Sequence, residues 1–229
     1  MSEMYYKGID TSNRILDVAR QLFYEKGPEK TSMTEIAEKA FVQRTTITYY
    51  FKNKDNLLME IAGDALSNVY RQASEITDDL RLLPLIGQII VYYLTCTDSK
   101  YGRIVSDYYR YYNVFNEQFH ANYISILCHL YASLYDGETC DLSDNEKLYF
   151  HHYINLAQAV AMIDYSLSHP GEVTYKDMAL VDLHNKAQVF GPEAQMRMIP
   201  LFNEAVDVFE NHPFSKITDF QEKFLQYNG

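Results

Sequence analysis

Residues 32–54, SMTEIAEKAFVQRTTITYYFKNK, read as a helix, a tight turn, a second helix and the start of a third. Ser32 and Glu35 have the spacing of a capping box. The serine hydroxyl can accept from the Glu35 amide, and the glutamate carboxylate can reach back to the Ser32 amide. Ile36, Ala37 and Ala40 form one apolar stripe; Ile47 and Phe51, four apart, form the next. Val42 lies in the turn between them. The other face of the second helix carries Thr45, Thr48, Tyr49 and Lys52, with Arg44 in its first turn. Small hydroxyls, an aromatic ring and cations outside, over a few apolar anchors inside, suit a helix that enters a groove of DNA.

Upstream, residues 1–10 read as a loose arm with Lys7 as its one cation. Thr11 or Ser12 is expected to cap a first helix ending at Lys26, with Ile15, Ala19, Leu22 and Phe23 buried and Gly27-Pro28 as its stop. Downstream, Leu57, Leu58, Ile61, Ala62, Ala65 and Leu66 continue a helix from about Lys54. Its period predicts a connection between the DNA-binding part and a larger helical body. Further helical pattern is expected from Leu82 onward, with Leu85, Ile86, Ile89, Ile90 and Tyr93 sharing one face and Ile104, Tyr108, Tyr111 and Phe115 another, then over 119–134, 143–168 and 174–189. A helix from about Pro192 to Asn211 should be kinked or split at Pro200, and a last amphipathic helix contains Ile217, Phe220 and Phe224. Asp136 to Asp141 reads as a loop.

The chain has 229 residues, few glycines and prolines, and a formal charge of −11. That charge argues against a DNA binder until the chain is divided. Residues 1–60 carry 9 basic and 9 acidic side chains, so the whole excess of acid lies beyond them. Binding would then depend on local cations such as Arg44, Lys52 and Lys54, and would be salt-sensitive. No run of about 18 apolar residues predicts a membrane span, and the N-terminus lacks a basic-then-apolar signal segment. Cys96, Cys128 and Cys140 are odd in number and widely spaced, which fits a reduced, cytoplasmic protein.

The run from Arg14 to Leu57 resembles the DNA-binding domain of the TetR (tetracycline-repressor-like) family of bacterial regulators. Ile15-Leu16, Ala19, Leu22-Phe23, Gly27, Thr34, Ile36-Ala37, Val42, Thr46-Ile47, Tyr49, Phe51, Lys54 and Leu57 carry the likeness. Four positions depart from the pattern. Phe41 stands where the family usually has a turn glycine, Gln43 where it has a serine N-cap, Thr45 where glycine is frequent, and Thr48 where a tyrosine often touches phosphate. Phe41 would be strained if its φ is positive, and Gln43 is a poor cap. The resemblance implies that Arg44, Thr45, Thr46, Thr48 and Tyr49 meet base edges and nearby phosphates, and that Thr34 and Lys54 grip phosphate. Tyr50 either packs inward or touches a phosphate.

The resemblance also implies an all-α fold, with a DNA-binding domain over residues 1–54 and a ligand-binding and dimerisation domain over 55–229. The function implied is that of a homodimeric regulator, read here as a repressor, released from a palindromic DNA operator by a small effector. Residues 92–135 hold 10 of the 21 tyrosines. Most suit a tyrosine-rich core; an apolar or aromatic effector pocket is expected among Tyr93, Tyr108, Tyr112, Phe115, Tyr123 and Tyr131. The acidic body favours a cationic over an anionic effector. The dimer is expected from the helices at 143–168 and 192–211, with the stripe Met198, Leu201, Phe202, Ala205 and Phe209 in the seam. The alternative is an interaction module of the same architecture, controlled by a protein partner and without a pocket. No His or Cys pair has metal-ligand spacing, and no nucleophile has a recognisable base, so neither a metal, a cofactor nor an enzymatic activity is expected.

Overall fold

The computed structural model describes residues 3–115, 145–188 and 192–212, with side chains for residues 9–111, 154–186 and 196–212. Among these residues the secondary structure is helical throughout: α1 (Glu3–Lys26), α2 (Met33–Lys39), α3 (Arg44–Phe51), α4 (Lys54–Ile76), α5 (Leu83–Thr97), α6 (Ser99–Phe115), α7 (Asn145–Ser168), α8 (Tyr175–Gln188) and α9 (Pro192–Asn211). No described helix is long and apolar enough to cross a membrane. The described residues divide into two compact units, the first ending at Ala65 and the second beginning at Leu66. The division falls inside α4. Leu57, Leu58, Ile61 and Ala62 are buried in the first unit, so it reaches beyond the boundary expected at residue 54.

In the first unit, α1 buries Ile15, Ala19, Leu22 and Phe23. It starts at Glu3 rather than at a Thr11 or Ser12 cap, so residues 3–10 are helix and not a loose arm. The hydroxyl of Ser12 donates to the Ile9 carbonyl at 2.9 Å, a back-bond that a helix interior tolerates. Gly27, at φ 86°, ends the helix as expected. Arg20 is buried on α1, yet its guanidinium meets Asp17 at 2.9 Å and Asp64 of α4 at 3.2 Å. A buried charge persists only with such partners.

In the second unit, α6 packs along α7, and α5 lies against α6, α8 and α9. Two helix starts show how short polar side chains set the boundaries. Asp98 follows α5, and its carboxylate accepts from the amides of Lys100 (3.0 Å) and Tyr101 (3.3 Å), opening α6. Thr174 and Asp177 exchange bonds ahead of α8, at 2.9 and 3.2 Å. The α6–α7 crossing is tight at Gly102, where a Cβ would come within 3.1 Å of Leu167 Cδ2 and of Thr95 Cγ2. Ser106 and Arg110 both reach Asp164 across the same pair of helices.

α9 is not split at Pro200: the helix runs through it. That residue is exposed, so the backbone group deprived of its partner can turn to solvent. The stripe assigned to a dimer seam is core instead: Met198, Phe202, Ala205 and Phe209 are buried within the single chain. The Phe209 ring packs against Tyr93 of α5 at 5.4 Å and Tyr175 of α8 at 5.9 Å. The outer face of α9 exposes Met196 (68%) and Ile199 (40%), and α7 exposes Ile154 (45%), Ala157 and Ala161. The expected helix over 119–134, the last amphipathic helix with Ile217, Phe220 and Phe224, and the loop at 136–141 lie outside the described residues.

Candidate nucleic-acid interface

Ser32 takes extended backbone angles and its hydroxyl accepts from the Glu35 amide at 3.1 Å, so the predicted N-cap of α2 is formed. The Glu35 carboxylate meets Lys26 at 2.5 Å. That hydrogen bond is the main reason its carboxyl lies below the ordinary range.

The end of α2 decides how α3 is presented. The Val42 amide donates to the Ala37 carbonyl (3.0 Å) and the Phe41 amide to the Glu38 carbonyl (3.2 Å). This is the Schellman arrangement, and it requires a left-handed residue at Phe41. Phe41 has φ 53°, where glycine is the usual choice. Its ring is 90% exposed, so no buried contact of this chain compensates the strain. Arg14 of α1 donates to the Ala40 carbonyl at 3.0 Å and fixes the turn from behind.

Gln43 precedes α3 and makes no side-chain cap bond, as its chemistry predicts. Ile47 and Phe51 are the buried anchors of α3. Arg44, Thr45, Thr48 and Tyr49 are exposed on the helix, and Tyr49 is 82% exposed. Thr46 is half-buried. The Thr48 hydroxyl donates to the Arg44 carbonyl at 3.2 Å, which leaves its lone pairs to accept from a partner. Tyr50 sits edge-on to Tyr49 at 5.2 Å and tilted to Phe51 at 6.2 Å, so it lies at the boundary between core and solvent. Thr34 is exposed in the first turn of α2.

Lys54 takes a place that its sequence position did not suggest. Its ammonium donates to the carbonyls of Pro28 (2.6 Å) and Thr31 (3.1 Å), holding the loop between α1 and α2. Asn53 caps α4 by accepting from the Asn56 amide at 2.8 Å. Thus α3 supplies the exposed polar surface, while Arg14, Lys54 and the Ser32 cap supply the frame.

Of the six residues expected around an effector, Tyr93 packs against Tyr175 and Phe209. Tyr108 is buried on α6, and burial pushes its hydroxyl up to about 12. Tyr123 and Tyr131, and the side chains of Tyr112 and Phe115, lie outside the described residues. Sequence reasoning overlooked Gln72. It is a buried polar side chain on α4, and the signal was its place, seven after Ala65, on the helix's apolar stripe.

The pattern describing bacterial regulatory proteins of the tetR family matches residues 15–61. The uncharacterised HTH-type transcriptional regulator YvkB of Bacillus subtilis (strain 168) is 47% identical over 58 residues, which are 25% of this chain and 31% of that protein. The HTH-type transcriptional regulator AcrR of Shigella flexneri is 43% identical over 60 residues, 26% of this chain and 28% of that protein. The match therefore spans about a third or less of these relatives' own length. The crystal structure of RolR in complex with resorcinol aligns at TM-score 0.55 over 91% of this chain and 97% of that one, at 20% identity, which shows a shared fold. Residues 15–61 are thus similar to the DNA-binding helix-turn-helix domain of bacterial regulatory proteins of the tetR family.

Proposed function

We propose that the protein is a cytoplasmic transcriptional repressor that binds a near-palindromic operator as a homodimer and is released by a small effector. One observation carries this reading: α3 exposes Arg44, Thr45, Thr48 and Tyr49 while Ile47 and Phe51 anchor it. Arg44 suits a bidentate contact to guanine. Thr45, Thr46, Thr48, Tyr49 and Tyr50 serve neighbouring base edges and phosphates, and Thr34 and Lys54 bear on the backbone. Two recognition helices must lie about 34–36 Å apart to read successive major grooves.

The dimer is assigned to the outer faces of α7 and α9. Ile154, Ala157, Ala161, Met196 and Ile199 expose apolar surface there, and an obligate interface would cover it. The effector is assigned to the tyrosine-rich region of the second unit, among Tyr93, Tyr108, Tyr112, Phe115, Tyr123 and Tyr131. RolR, which shares the fold, was crystallised with resorcinol, and this supports a small aromatic ligand. Because α4 contributes residues to both units, it is the natural transmitter. Ligand binding releases DNA only if the ligand prefers the non-binding conformation. A swing from about 99% to about 1% competent needs roughly a 10⁴-fold preference.

The test is selection from a random duplex library, followed by titration of the enriched sequence with wild type and Arg44→Ala. Enrichment of a two-fold sequence, bound more weakly by the variant, is expected. No enrichment, or equal binding by both proteins, would overturn the reading.

A further inference from the structure

Gly87 sits in the interior of α5, flanked by the buried Leu85, Ile86, Ile89 and Ile90. Glycine is the poorest residue after proline for a helix interior, so a close approach of other atoms is the usual reason to find one there. Tyr70 of α4 makes that approach. A Cβ at position 87 would stand 2.7 Å from Tyr70 Cε1 and 2.9 Å from its Cδ1, closer than carbon atoms pack. The flank of the tyrosine ring therefore rests on the bare backbone of α5. Both residues belong to the second unit. Gly63, on α4 itself, is different: a Cβ there would meet nothing within 4 Å.

Six residues before Tyr70, α4 is held a second time, within the first unit. Asp64 meets the Arg20 guanidinium of α1 at 3.2 Å, and Arg20 is 2% exposed. A buried guanidinium does not part from its carboxylates without stranding a charge. Six residues span about 9 Å of helix and turn it by roughly 240°, so the two grips take different sides of one rod. A ring seated in a glycine notch also holds its place, because packed groups have discrete arrangements rather than a continuous range. We propose that Gly87 is a positioning residue: its notch seats Tyr70, and the seated ring sets α4 in the placement that operator binding uses. This inference rests on the DNA-binding reading above and names the joint through which the second unit acts on α4. α5 is packed by α6, α8 and α9, so a rearrangement among those helices reaches Gly87 through the backbone that carries it. Moving Tyr70 moves the helix, and the helix carries Asp64 and its bond to Arg20 with it.

The experiment uses the full chain and a double-mutant cycle of Gly87→Ala and Tyr70→Ala, with the duplex selected above as the probe. Gly87→Ala drives a methyl into the ring and should weaken operator binding ~3- to 30-fold. Affinity is read by fluorescence anisotropy well below the melting temperature and corrected for the active fraction. In the Tyr70→Ala background the same change should cost less than ~2-fold, because no ring is left to displace. A second readout needs no DNA. The ¹H–¹⁵N signals of the Arg20 guanidinium should shift in Gly87→Ala, and should agree between Tyr70→Ala and the double variant. Gly63→Ala controls for helix propensity and should leave both readouts as in wild type. A glycine with a merely structural role would lower the melting temperature and move neither. Operator binding unchanged or tightened in Gly87→Ala, an equal loss in both backgrounds, an unmoved Arg20 signal, or an equal effect of Gly63→Ala would each overturn the proposal. If no duplex is enriched, the DNA-binding reading fails by itself. The Arg20 signals then decide the joint alone: a shift that depends on Tyr70 upholds it, and no shift removes it.

Discussion

The Nζ of Lys54 lies 2.6 Å from the carbonyl oxygen of Pro28, reaching from the first residue of α4 back to the loop after α1. Lys54→Met would leave the carbonyls of Pro28 and Thr31 without this donor. The expected loss is about 1.5–3 kcal/mol of unfolding free energy, measured by urea titration. Binding should weaken for all DNA sequences alike, with the salt slope falling by about 1 if the ammonium also neutralises a phosphate. Unchanged stability would show that the loop does not need the lysine.

Arg44 is exposed at the start of α3, where the proposed complex would use it. Arg44→Ala should leave the melting temperature unchanged and weaken operator binding by about 1–3 kcal/mol, with relaxed preference at one base pair. Competition titrations against single-base operator variants would show it.

Phe41→Gly should stabilise the protein by about 1 kcal/mol. Glycine occupies the left-handed end of α2 without the Cβ clash, and the ring that is lost is exposed. Its greater freedom in the unfolded chain offsets part of that gain. Denaturant midpoints of the two proteins give the sign directly.

Charged substitutions should separate seam from core. Ile199→Asp or Ile154→Asp should yield folded monomers by light scattering, because both side chains are exposed in the single chain. Phe209→Asp should unfold the second unit, because that ring is enclosed by Tyr93 and Tyr175. Retention of the dimer in both exposed-site variants would move the seam elsewhere.

Two carboxylates of the first unit should respond to acid in opposite senses. The Glu35 carboxyl lies below its ordinary 4.5 because Lys26 bonds to it. Its stabilising effect is present above about pH 4.5 and lost as pH falls through the folded value. The Asp64 carboxyl lies above its ordinary 3.8, mainly through burial, with Arg20 opposing the shift. Its contribution is full below pH 3.8 and is lost as pH rises through the folded value. Glu35→Gln should therefore flatten the decline of urea midpoints below pH 4.5, and Asp64→Asn should steepen it.

What could be read from the sequence was local. The Ser32 cap, the uncapped Gln43 and the anchors Ile47 and Phe51 depend on neighbours within four residues, and all are found as expected. The start of α1 was misjudged because Ser12 satisfies its hydroxyl equally well inside a helix. The α9 stripe was recognised as buried, but periodicity does not name the surface that buries it. Here that surface is the chain's own Tyr93 and Tyr175. Lys54 was assigned by resemblance and by its place at a helix start, neither of which reveals its carbonyl partners 23 and 26 positions away in sequence. Four of the six expected effector residues have side chains outside the described structure, and Tyr93 has ring partners that no sequence pattern announces.

The turn at Phe41 also has an optical consequence. The chain contains 21 tyrosines and no tryptophan, so its emission comes from a crowd of unresolved phenols. Position 41 already carries an exposed aromatic ring in the left-handed conformation, so an indole there adds little new strain. Phe41→Trp would be the sole indole of the protein, three residues ahead of Arg44. Excited selectively at the red edge of absorption, it would report the polarity and quenching at the end of the recognition helix as duplex arrives, without a label.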